Sequence, residues 1–93
     1  MGIDIVEISN KLKNDFIDLG YEVSLDYLGE DIYLVVKDQY STRGKKVKIS
    51  ILNMDYGEIL VVIKSRGNEE VEYENPSKEG FEKIKENIEA LLL

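Results

Sequence analysis

Residues 21–37 read Tyr21-Glu22-Val23-Ser24-Leu25-Asp26-Tyr27-Leu28-Gly29-Glu30-Asp31-Ile32-Tyr33-Leu34-Val35-Val36-Lys37. From Tyr21 to Tyr27, apolar and polar side chains alternate with a period of two, which marks a strand with one wet face. Gly29-Glu30-Asp31 then turns the chain, and Ile32, Leu34 and Val36 take up the alternation again. The pair is a hairpin, with Tyr27 expected opposite Ile32.

The same pattern repeats towards the C-terminus. Val47, Ile49 and Ile51 form a third strand after the polar loop from Gln39 to Lys45, and Asn53-Met54-Asp55-Tyr56-Gly57 is a turn. Ile59, Val61 and Ile63 form a fourth strand, Arg66-Gly67-Asn68 turns again, and Val71 and Tyr73 mark a short fifth. Setting Val36 opposite Val47, Ile51 opposite Ile59, and Ile63 opposite Val71 puts the aliphatic set on one face, as the pleat requires. Four short connections in a row predict a five-stranded antiparallel meander.

Helices flank it. Ile5, Ile8, Leu12, Phe16 and Leu19 fall on one helical stripe, Asp4 and Glu7 are spaced as a capping pair, Glu7 pairs with Lys11, and Gly20 stops the helix. Phe81, Ile84, Ile88 and Leu91 form the stripe of a second helix, with Asn75 as its cap and Pro76 at its first position. Gly80 in that first turn weakens it by roughly 1 kcal/mol. The predicted fold is a single α+β domain over residues 1–93, with the N- and C-terminal helices packed on one face of the sheet.

Two helices of ~10 Å diameter cover about 20 Å, while five strands at ~4.8 Å spacing span about 24 Å. One face is therefore covered: that of Val23, Leu25, Leu34, Val36, Ile49, Ile51, Val61 and Ile63. The other has a charged rim, including Glu22, Asp26, Lys37, Lys48, Lys64, Glu70, Glu72 and Glu74, but its centre is apolar: Tyr33, Val35, Leu52, Leu60 and Val62. An apolar centre inside a charged rim is the composition of a protein interface, and its simplest occupant is a second copy, giving a homodimer.

The chain has no Cys and no His, which removes thiol nucleophiles, thiolate metal sites and the commonest general base and metal ligand. Catalysis would rest on carboxylates, lysines, tyrosines and hydroxyls. A non-enzymatic role without a cofactor is expected. No apolar run approaches the ~20 residues of a membrane span and no signal peptide opens the chain, so a cytosolic protein without membrane partners is expected. Met1-Gly2 resembles the start of a myristoylation site, but Glu7 lies one place beyond where Ser or Thr should stand.

The net charge of −7 is uneven. Residues 1–36 carry two basic and eight acidic groups, residues 37–66 seven basic and three acidic, and residues 67–93 three basic and eight acidic. The acidic helix residues Asp15, Asp18, Glu82, Glu86 and Glu89 form a candidate surface for a basic site on a partner protein. An alternative is a nucleic-acid or phosphate site at the basic hairpin end, from Arg43, Lys45, Lys46 and Arg66, with Lys64 beside them. Ser41-Thr42-Arg43-Gly44-Lys45-Lys46 fails the P-loop pattern, because no glycine stands five before Gly44 and Lys46 replaces the Ser or Thr. The helix–strands–helix order is similar to that of a double-stranded-RNA-binding domain, but there are five strands rather than three, and Asn75-Pro76-Ser77-Lys78-Glu79-Gly80, which leads into a mostly acidic helix, lacks the group of lysines that module needs there. Glu70, Glu72 and Glu74 share one strand face; they suit a Mg²⁺ or Ca²⁺ ion but more often keep an edge strand from aggregating.

The Leu19-Gly20-Tyr21-Glu22-Val23 junction, the Ser41–Lys46 loop and the stretch from Ser65-Arg66-Gly67-Asn68-Glu69-Glu70 to Pro76 resemble the small acidic proteins of rod-shaped viruses that infect thermophilic archaea. That group includes an anti-CRISPR protein that inhibits the subtype I-D effector by binding its large subunit. The resemblance implies a homodimeric, non-enzymatic inhibitor acting in the host cytoplasm, and it assigns no binding role to particular residues. The absence of Cys and His, the single Gln and the Lys, Glu and Ile content suit a thermophilic setting.

Overall fold

The computed structural model describes residues 4–38, 45–65 and 70–93. The order is α1 (Ile5–Asp18), β1 (Glu22–Leu28), β2 (Asp31–Lys37), β3 (Lys46–Asn53), a one-turn 3-10 segment (Asp55–Gly57), β4 (Ile59–Lys64), β5 (Glu70–Glu74) and α2 (Lys78–Leu92). The strands form one antiparallel sheet in chain order. Both helices lie on its aliphatic face, where Ile8, Leu12, Phe16, Ile84 and Ile88 join Leu34, Ile49 and Val61 in one buried core.

Local chemistry explains the helix ends. The Asp4 carboxylate accepts from the Val6 amide (3.3 Å) at the start of α1. At its end the Gly20 amide donates to the Ile17 carbonyl (3.0 Å) and the Tyr21 amide to the Phe16 carbonyl (2.9 Å). Those two bonds, with Gly20 at φ +94° and the Phe16 and Tyr21 rings edge to face at 5.8 Å, make a Schellman motif. This motif turns Leu19 off the stripe expected for it: Leu19 is 55% exposed, and Ser9 is buried instead, with its hydroxyl donating to the Val6 carbonyl.

Three other expectations change. Ile51 lies opposite Val61, not Ile59, because the turn closes between Met54 and Glu58, whose amide and carbonyl are 2.7 Å apart. A shift of two residues keeps every side chain on its face. Ser77, not Asn75, caps α2, accepting from the Gly80 amide at 3.2 Å, and Pro76 lies before the helix. Asn75 instead extends the sheet beside Ile59. In the last turn of α2, Leu92 is fully buried and Leu91 only partly.

The helix layer is narrower than the sheet, and the shortfall appears at both edges. Val23 and Leu25, expected under the helices, are only half covered, and Tyr27 on the same face of β1 is 63% exposed. On β5, Val71 is exposed and Tyr73 is held through its hydroxyl, which accepts from the Asn87 amide at 3.0 Å.

Candidate functional site

The face without helices carries the candidate site. Tyr33 and Val35 on β2, Leu52 on β3, and Leu60 and Val62 on β4 come together at its centre. Leu52 is opposite Leu60, while Ser50 lies between Tyr33 and Val62. All five are half-buried by their neighbours and none is fully covered. They form the patch expected from the alternation.

The rim divides by charge. At one end Lys37 is opposite Lys46, and Lys48 is opposite Lys64. Like charges directly opposed across strands oppose folding, and here Glu22 beside Lys37 and Glu70 beside Lys64 offset them. The Lys64–Glu70 pair is 3.7 Å apart and half exposed, so it contributes at most about 1 kcal/mol. Glu72 flanks Val62 and Glu74 flanks Leu60 along β5. No group of three carboxylates among the described residues is close enough to hold a metal ion.

Of the basic hairpin end, the described residues include Lys45 and Lys46. Lys46 is on the outer face, whereas Lys45 donates to the Leu93 carbonyl at the end of α2. Arg43 and Arg66 lie outside the described residues. The basic group that the structure does assemble is Lys37, Lys46, Lys48 and Lys64. Its signal was the parity of the strands, which separates Lys45 from Lys46.

The acidic helix residues sit on the opposite side of the sheet from this face. Asp15 faces α2 and pairs with Lys85 at 3.6 Å, so its charge is already engaged. Lys11 bridges Glu7 (3.6 Å) and the Phe81 ring (5.8 Å) on the same seam. Asp18, Glu82 and Glu86 are exposed and Glu89 is half-buried. The helix layer and the outer sheet face are thus two separate surfaces.

Among the described residues no helix is long and apolar enough to cross a membrane. Searches against protein families, curated proteins and solved structures gave no match to this chain.

Proposed function

We propose that the chain is a non-catalytic protein-binding module that docks its partner on the outer sheet face. The observation that carries this reading is the cluster of Tyr33, Val35, Leu52, Leu60 and Val62 on three adjacent strands inside a charged rim. Burying one such side chain from full exposure contributes about 1.5–3 kcal/mol. Most of each is already covered by its neighbours, so the five together supply about a few kcal/mol and the polar rim contributes the rest of the contact. The partner implied by the sequence resemblance is the large subunit of a subtype I-D CRISPR effector, which makes the protein an anti-CRISPR inhibitor in the host cytoplasm. The acidic helix layer then steers encounter with a basic partner instead of touching it.

Binding of wild type and Val62→Glu to that purified subunit tests both levels. The variant buries a carboxylate against the partner and is expected to bind at least about tenfold more weakly. No binding by wild type removes the anti-CRISPR reading. A partner captured equally by wild type and Val62→Glu removes the sheet face.

A second reading is favoured by the opposed lysines Lys37–Lys46 and Lys48–Lys64, which would bind phosphates of nucleic acid or another phosphate ligand. No retention of nucleic acid at low salt rules out its nucleic-acid form.

A further inference from the structure

The two edges of the sheet differ. β5 is five residues long and three of them, Glu70, Glu72 and Glu74, are carboxylates. β1 is seven residues long and contains no Lys or Pro. Its register with β2 runs unbroken from Glu22–Lys37 to Leu28–Asp31, so it has no bulge, and no charge lies on its helix-side face. A long, regular edge with only two carboxylates, Glu22 and Asp26, both on the outer face, is a template for another strand.

Among the described residues, nothing bonds to the outer side of that edge. The β1–β2 loop is Gly29-Glu30, with Gly29 at φ +65° supplying the first position of a type II′ turn. In a two-residue hairpin the closing pair, Leu28–Asp31, exchanges both hydrogen bonds, and alternation then points the N–H and C=O groups of Val23, Leu25 and Tyr27 away from β2. Apart from the ladder to β2, no bond to these groups is made by another described residue. The side chains beside them are apolar and uncovered: Val6 and Ile17 on the flank of α1 turned away from α2, then Leu19, Tyr27 and Leu28. These five are a majority of the nine large exposed hydrophobics among the described residues, concentrated along one edge.

We propose that β1 pairs with β1 of a second copy, antiparallel and centred on Leu25, giving a continuous ten-stranded sheet with all four helices on one side. Three two-fold registers let the outward-pointing groups meet over five or more residues. Centring on Ser24 puts Glu22 opposite Asp26 twice, and centring on Asp26 puts that carboxylate opposite itself. Centring on Leu25 pairs all seven residues over about 24 Å and sets Asp26 opposite Ser24, Glu22 opposite Leu28, and Tyr27 opposite Val23. Only this register leaves no carboxylate facing another and stacks apolar side chains on the helix side, so charge and pattern select a second copy as occupant. The two-fold axis is perpendicular to the sheet, so both outer faces stay open on the same side. The inference is independent of what those faces bind.

Light scattering over a concentration series, with circular dichroism, tests the edge. Wild type should be a dimer, and Tyr27→Lys should raise the dissociation constant at least about tenfold with an unchanged spectrum, because Tyr27 is 63% exposed and packs little in the single copy. Val62→Glu should remain dimeric. The register is tested by single cysteines in a chain that has none. Opposed Cα atoms in a hydrogen-bonded pair lie about 5.5 Å apart, within disulfide reach. Leu25→Cys should therefore cross-link on oxidation much faster than Ser24→Cys. A monomeric wild type, a dimer broken by Val62→Glu but not by Tyr27→Lys, or equal cross-linking of the two cysteine variants would each overturn the proposal.

Discussion

Asn75 and Ile59 hold each other by two hydrogen bonds: the Asn75 amide donates to the Ile59 carbonyl, and the Ile59 amide donates to Asn75 Oδ1, both at 2.8 Å. The side chain thereby takes the place of a backbone acceptor at the end of the β4–β5 ladder. It does so from a left-handed backbone, φ +42°, which asparagine tolerates better than most residues. Asn75→Ala removes the acceptor and leaves alanine in that conformation. Urea denaturation should show a loss of about 1–3 kcal/mol, with Asn75→Asp losing less because an acceptor remains.

Gly20 allows a cleaner separation of causes. A Cβ built there meets nothing within 4 Å, so Gly20→Ala adds no clash and leaves only the backbone term at φ +94°. The expected loss is about 1–2 kcal/mol. In a domain of this size each kcal/mol lowers the melting temperature by about 4–8 °C, which calorimetry resolves.

Tyr56 has the opposite balance. It sits at φ 63° inside the β3–β4 turn and its side chain is fully exposed, so no packing offsets the backbone strain. Tyr56→Asn should raise stability by about 0.5–1 kcal/mol. Stability that falls instead would mean that the ring makes a contact.

Period and parity alone make most of the sheet legible. Tyr27–Ile32, Val36–Val47 and Ile63–Val71 pair as the alternation required, and the two faces separate without exception. The β3–β4 register was not legible to within two residues, because parity cannot distinguish a turn closed at Met54 and Glu58 from a shorter one. The cap of α2 was missed for a similar reason: Asn75-Pro76-Ser77 offers two capping side chains, and only the pairing with Ile59 removes Asn75 from the choice. The centre of the outer face followed from the alternation, whereas the lysine end needed the cross-strand register to appear as opposed pairs.

Steering and contact should separate kinetically. The triple variant Glu82→Lys, Glu86→Lys, Glu89→Lys should slow association with a bound partner several-fold at low salt and converge on wild type as salt rises, since exposed charges are screened beyond about 10 Å at 0.1 M. Its dissociation rate should not change. Val62→Glu should do the reverse, acting mainly on dissociation. A triple variant that dissociates faster would put the contact on the helix layer.

Because every strand pairs with its successor in the chain, the sheet can assemble hairpin by hairpin across short loops, whose closure is fast. The seam between the helices is different: Asp15 and Lys85 meet from opposite ends of the sequence, and both helices need the finished aliphatic face to rest on. Substitutions in the hairpins should thus slow refolding, while substitutions along the seam should mainly quicken unfolding. The lifetime of the native molecule should then be set by how firmly the two helices sit on the sheet, α1 over β1 to β3 and α2 over β3, even though the sheet supplies most of its architecture.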